Sequence, residues 1–225
     1  MPESIPFEST PLYPSLAGFQ ANAQFDLPFW RPAPGTSVSE IAILTNGFLE
    51  GVESTEKKRN QVRQRYDLIA EELVKQGFAA VFLPLPFHFE RGNDITAEGR
   101  FAPLERLRES GSYLYFGGYD QAVADIKKLV AEIWTQPKRF GLEALKRIHL
   151  VGYSLGGAAA LGASASLGDK LASVTALCST WGIAKIKPEV IERAFGAKYR
   201  FGKAEWKDAM EQLEVHKESF DPVFR

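Results

Sequence analysis

The 225 residues, 45% apolar and 24% charged, have the composition of an ordinary globular protein and the length of one α/β domain rather than two. A formal net charge of -1 offers no field to attract nucleic acid, and no run approaches the eighteen or so consecutive apolar residues of a membrane span, so neither is expected as a partner. The single cysteine, Cys178, cannot form an internal disulfide, and the opening MPESIPFESTPLYPS lacks the basic head and apolar run of a leader; a cytoplasmic location is expected.

Residues 1–18, rich in Pro and Ser, read as an N-terminal arm. The segment FQANAQFDLPFWRPAPG then alternates in part, through Phe19, Phe25, Leu27 and Phe29, as one or two antiparallel strands would. SEIAILTNGF is a buried strand running into an Asn46-Gly47 turn. Between Ser54 and Gln76 the apolar residues Val62, Tyr66, Ile69, Ala70, Leu73 and Val74 share one helical face, with Gly77 placed to cap the helix.

FAAVFLPLP is a second buried strand. Residues 87–119 read as a long loop rich in aromatic side chains. A second amphipathic helix follows Asp120, carrying Val123, Ile126, Leu129, Val130, Ile133 and Trp134. RIHLV and SVTALC read as two further buried strands on either side of a small-residue helix, and residues 182–225 as a helical cap or tail. Strands that alternate with helices and are apolar on both faces predict an α/β fold, a mostly parallel sheet covered by helices on both faces, in one domain over residues 1–225. Such sheets carry their chemistry at the carboxyl ends of the strands, where Asn46, Gly47, Phe48 and Ser154 fall.

Gly152, Ser154 and Gly156 fit G-x-S-x-G, with an apolar strand before and a helix after. A serine on so sharp a turn is crowded, and small neighbours relieve the clash and expose its hydroxyl. The helix beginning at Leu155 aims its first N–H groups and the positive end of its dipole at the same place. The glycines do not form a phosphate loop: GYSLGG is not G-x-G-x-x-G, and no G-x-x-x-x-G-K-[ST] occurs. No two histidines lie at ligand spacing, so neither a metal nor another cofactor is expected.

HLVGYSLGGAAAL resembles the serine turn of the α/β-hydrolase family, and IAILTNGFLEG resembles that family's third strand and oxyanion loop. The resemblance spans Phe19 to Thr180. It implies Ser154 as catalytic nucleophile and the backbone N–H groups of Phe48 and Leu155 as the oxyanion hole. Asn46 stands where the family usually has His; its amide can still tie the loop to nearby backbone.

A serine hydroxyl needs a base, and the base needs a partner that fixes its tautomer. His149 lies inside the strand below the serine and reads as structural. His88 sits just past a strand end and can line a pocket, but it precedes the serine, against the family's order. His216 lies in a charged, helix-like stretch. Asp120 and Asp125 read as a helix start and a helix face, and Asp221 as a turn before Pro222. ESFDPVFR resembles the segment that precedes the family's seventh strand, so the acid and base are expected beyond Arg225.

The resemblance thus implies a serine hydrolase acting on a small-molecule acyl substrate, an ester, thioester or small amide. The alternative is a non-catalytic binding or interaction protein of the same fold, or a fragment completed by another chain. A sheet lacking its last strands would also call for a cover on its open edge, from the tail or from a second copy in a homo-oligomer.

Overall fold

The computed structural model describes residues 2–12, 23–47, 50, 56–86, 88–92 and 102–179. Its elements in chain order are β1 (Glu3–Glu8), β2 (Gln24–Trp30), β3 (Glu40–Thr45), α1 (Glu56–Lys75), β4 (Ala79–Phe82), α2 (Ala102–Thr135), β5 (Arg147–Tyr153), α3 (Leu155–Leu167) and β6 (Ser173–Leu177). The six strands form one sheet in the order β1-β2-β4-β3-β5-β6. The β1/β2 and β2/β4 pairs are antiparallel, and β4/β3, β3/β5 and β5/β6 are parallel.

The central strands are apolar on both faces because both faces are covered. In β3, Ile41 and Ile43 point to one core, together with Ile126, Leu129 and Ile133 of α2 and Ala159 and Ala163 of α3. Ala42 and Leu44 point to the other, which holds Val62, Tyr66 and Ala70 of α1. The period of two along the strand and of nearly four along the helices thus meet in two layers. At the end of α1, Gly77 takes φ 88°, and the Phe78 and Gly77 amides donate to the Leu73 and Val74 carbonyls, both at 3.0 Å. That paired closure ends the helix and turns the chain into β4.

Two sequence expectations need correction. Residues 3–8 are not an arm but the outermost antiparallel strand, β1. Ile5 and Phe7 bury themselves while Ser4, Pro6 and Glu8 stay exposed, and a proline is tolerated there because an edge strand has one side without ladder bonds. The loop expected over residues 87–119 is helical from Ala102, eighteen residues before Asp120. Gly111, Gly117 and Gly118 weaken helix propensity by about 1 kcal/mol each, and they hid the helix. The buried face of the same element, from Tyr119 to Ile133, holds it in place instead. The expected cap or tail at 182–225 lies outside the described residues.

A buried polar knot joins these elements on the β1/β2 side. Arg91 and Asp125 form an ion pair at 2.8 Å with both side chains 2% exposed. Arg91 also donates to the Pro84 carbonyl and lies over the Phe25 ring. Asp125 accepts from Ser9 and Gln121. Asp120 and Asp125 are therefore both buried mid-helix residues of α2, so Asp120 does not mark a helix start.

Candidate functional site

The carboxyl ends of β3 and β5 and the start of α3 meet around Ser154. β5 ends at Tyr153 and α3 begins at Leu155, leaving Ser154 alone to make the reversal. It does so with φ 50° and ψ -116°, a left-handed backbone that costs a residue with a Cβ on the order of 1–3 kcal/mol. Its amide donates to the Leu177 carbonyl of β6 at 2.8 Å, and its carbonyl accepts the Ala158 amide at 3.1 Å. The turn is thus fastened to a neighbouring strand and to its own helix. The side chain is half-buried, beside the exposed ring of Tyr153.

The flanking glycines are required by close approach. A Cβ on Gly152 would lie 2.5 Å from the Gly157 nitrogen and nearer still to the Gly156 carbonyl oxygen. A Cβ on Gly156 would lie 2.7 Å from the Thr45 hydroxyl oxygen and nearer still to the Asn46 carbonyl oxygen. The backbone of α3 therefore rests directly on the ends of β3 and β5. The N–H groups of its first turn, Leu155 among them, have no intrahelical acceptors. A negative charge beside them is favoured by the helix dipole as well.

The loop after β3 is held by its own side chains. Asn46 is fully buried; its Nδ2 donates to the Gly47 carbonyl at 2.8 Å, and its Oδ1 accepts the Leu85 amide at 2.8 Å. The amide side chain thus ties the loop to the chain leaving β4. Glu50 accepts the Gly47 amide at 2.7 Å and a short hydrogen bond from the Tyr66 hydroxyl of α1. The buried Thr45 hydroxyl oxygen has no hydrogen-bond partner among the described residues. Phe48 lies outside the described residues.

No protein-family model and no curated protein matches the chain. Solved structures do match it. The chain aligns over its whole length with Est22, an esterase, at 18% identity and TM-score 0.55, covering 58% of that chain. It aligns likewise with brefeldin A esterase, a bacterial homologue of human hormone-sensitive lipase, at 18% identity and TM-score 0.53, covering 55% of that chain. The fold is that of the α/β-hydrolases. An S-formylglutathione hydrolase, FrmB from Staphylococcus aureus, is a third neighbour at 13% identity and TM-score 0.53, of which the chain covers 71%. The chain spans a little over half the length of the two esterases.

Within this α/β-hydrolase fold His149 is held by structural partners at both ring nitrogens. The His149 ring lies between the Glu40 carboxylate (Nε2 to Oε2, 3.0 Å) and the Ser173 hydroxyl (Nδ1 to Oγ, 2.8 Å), towards the amino-terminal ends of the strands. His88 is buried, with Nδ1 2.6 Å from the Pro86 carbonyl oxygen, and burial pushes its imidazole down to about 4. His216 and Asp221 lie outside the described residues. Among the described residues no helix is long and apolar enough to cross a membrane. Sequence reasoning missed Glu50 and Tyr66, whose partnership joins a loop to a helix sixteen positions away. The acidic residue following Asn46-Gly47 was the available signal.

Proposed function

We propose that the chain is a serine hydrolase of the α/β-hydrolase type that cleaves an ester, thioester or small amide through an acyl-enzyme on Ser154. The observation that carries this reading is the left-handed backbone of Ser154 at the reversal from β5 into α3. A strained non-glycine residue between a strand end and the open N-terminus of a helix is the backbone arrangement that a nucleophilic serine of this kind requires. In the reaction Ser154 Oγ attacks the acyl carbonyl while a base takes its proton. The carbonyl oxygen becomes an oxyanion held by the Leu155 and Phe48 amides, and the leaving group departs with the proton. Water then repeats the attack on the acyl-enzyme and releases the acid. On this reading the base and its acid partner come from residues other than the described ones or from another chain.

A second reading, a non-catalytic binding protein of this fold, is favoured by one observation: the His149 ring is held by Glu40 and Ser173 towards the amino-terminal ends of the strands, the opposite end from Ser154. A fluorophosphonate probe separates the two. Labelling of the full-length natural chain, lost in Ser154→Ala, is the hydrolase result; a folded full-length chain that stays unlabelled belongs to the binder.

A further inference from the structure

We propose that Glu50, held in place by Tyr66, is a positioning residue that sets the loop after β3 for oxyanion binding. The inference rests on the hydrolase reading above. Glu50 grips Gly47 from two sides: its carboxylate accepts the Gly47 amide at 2.7 Å, and its own backbone amide donates to the Gly47 carbonyl at 3.3 Å. Asn46 Nδ2 adds a second bond to that carbonyl at 2.8 Å. Peptide units are planar, so bonds to the Gly47 amide and carbonyl fix the planes on both sides of its Cα. The second of these units carries the amide of residue 48, the donor that the mechanism needs.

The loop also bears on the serine turn. A Cβ on Gly47 would lie 2.8 Å from the Tyr153 ring and 3.2 Å from the Glu50 carboxylate, so Gly47 is wedged between Glu50 and the residue before Ser154. A free carboxylate here would oppose a developing oxyanion. Glu50 instead has its charge taken up by the Gly47 amide, the Tyr66 hydroxyl and, at 3.8 Å, the Arg65 guanidinium. Burial, and then the Glu50 carboxylate itself, hold the Tyr66 hydroxyl well above its ordinary range, so Tyr66 stays protonated and donates.

The test compares wild type, Glu50→Gln, Tyr66→Phe and Ser154→Ala in the full-length natural chain. It uses fluorophosphonate labelling, hydrolysis of p-nitrophenyl acetate and hydrogen exchange of the Gly47 amide. Glu50→Gln is expected to lower kcat and the labelling rate about 10- to 100-fold with KM little changed, less than the roughly 10²–10³ lost when an oxyanion donor is deleted outright. Gly47 exchange should quicken in the same variant, and Tyr66→Phe should shift both readouts in the same direction by less. Unchanged labelling in a folded Glu50→Gln, or unchanged Gly47 exchange, overturns the positioning role while Ser154-dependent labelling leaves the hydrolase reading standing. A wild type that does not label, or labels equally as Ser154→Ala, overturns both.

Discussion

The backbone amide of Ser154 donates to the carbonyl oxygen of Leu177 at 2.8 Å. Tyr153 and Leu177 are register partners in the parallel β5/β6 pair, so this bond continues the ladder one residue past the strand and into the turn. The left-handed conformation at 154 is therefore imposed by the sheet on one side and by the start of α3 on the other. Replacing Ser154 with glycine should relieve the strain, whereas alanine should keep it. Ser154→Gly is expected to be more stable than Ser154→Ala by about 1 kcal/mol, read as a higher urea midpoint at unchanged slope. Equal midpoints would show that the backbone is not strained.

Where backbones touch, a methyl group has nowhere to go. Gly156→Ala should cost about 1–3 kcal/mol or prevent folding, since its Cβ would meet the Thr45 hydroxyl and the Asn46 carbonyl. Gly118→Ala is the counter-case: it lies within α2 and a Cβ there would meet nothing among the described residues within 4 Å. That variant should gain roughly 0.5–1 kcal/mol from helix propensity and lost unfolded-state freedom. Thermal melting of the two variants side by side checks both signs.

The Arg91–Asp125 pair should respond very unequally to single and double replacement. Arg91→Met leaves a buried carboxylate without its cation and should cost about 3–5 kcal/mol. Arg91→Met combined with Asp125→Leu removes both charges and should recover much of that loss. A double-mutant cycle in urea measures it; additive losses would mean that the two charges do not depend on each other.

His88 makes stability depend on pH in a defined window. Its imidazole lies at about 4 in the folded chain, against about 6.5 when unfolded. Between those values the unfolded chain takes up a proton that the folded chain refuses, so acidification favours unfolding. Stability should fall as pH drops from about 6.5 towards 4, by on the order of 3 kcal/mol, and this contribution should level off below that. His88→Asn should flatten that part of the profile. An unchanged slope would assign the window to other groups.

The layered architecture was legible because it depends on local period. The β3 and β4 segments are apolar runs with buried residues on both faces, and α1 shows its buried stripe through Val62, Tyr66 and Ala70. The serine turn was legible because glycine spacing records backbone contact directly. The first half of α2 was hidden by glycines whose cost is offset by packing further along the same helix, and β1 by the prolines and serines in and around it, Pro6 among them. Glu50 was signalled only by its place soon after Asn46-Gly47, and its pairing with Tyr66, like that of Arg91 with Asp125, could not be read. Each joins residues that no periodicity relates, and each exists only once separate elements have docked.

The two ends of the sheet should differ in what random mutation leaves alive. At the lower end Arg147 pairs with Glu40, and Glu40, His149 and Ser173 link three strands through side chains; other polar sets can fill that role, so a library of survivors should be varied at 40, 149 and 173. At the upper end the main chains of β3, β5 and α3 rest against one another. Survivors there should read glycine at 152 and 156 almost without exception, whether or not the selection asks for any chemistry.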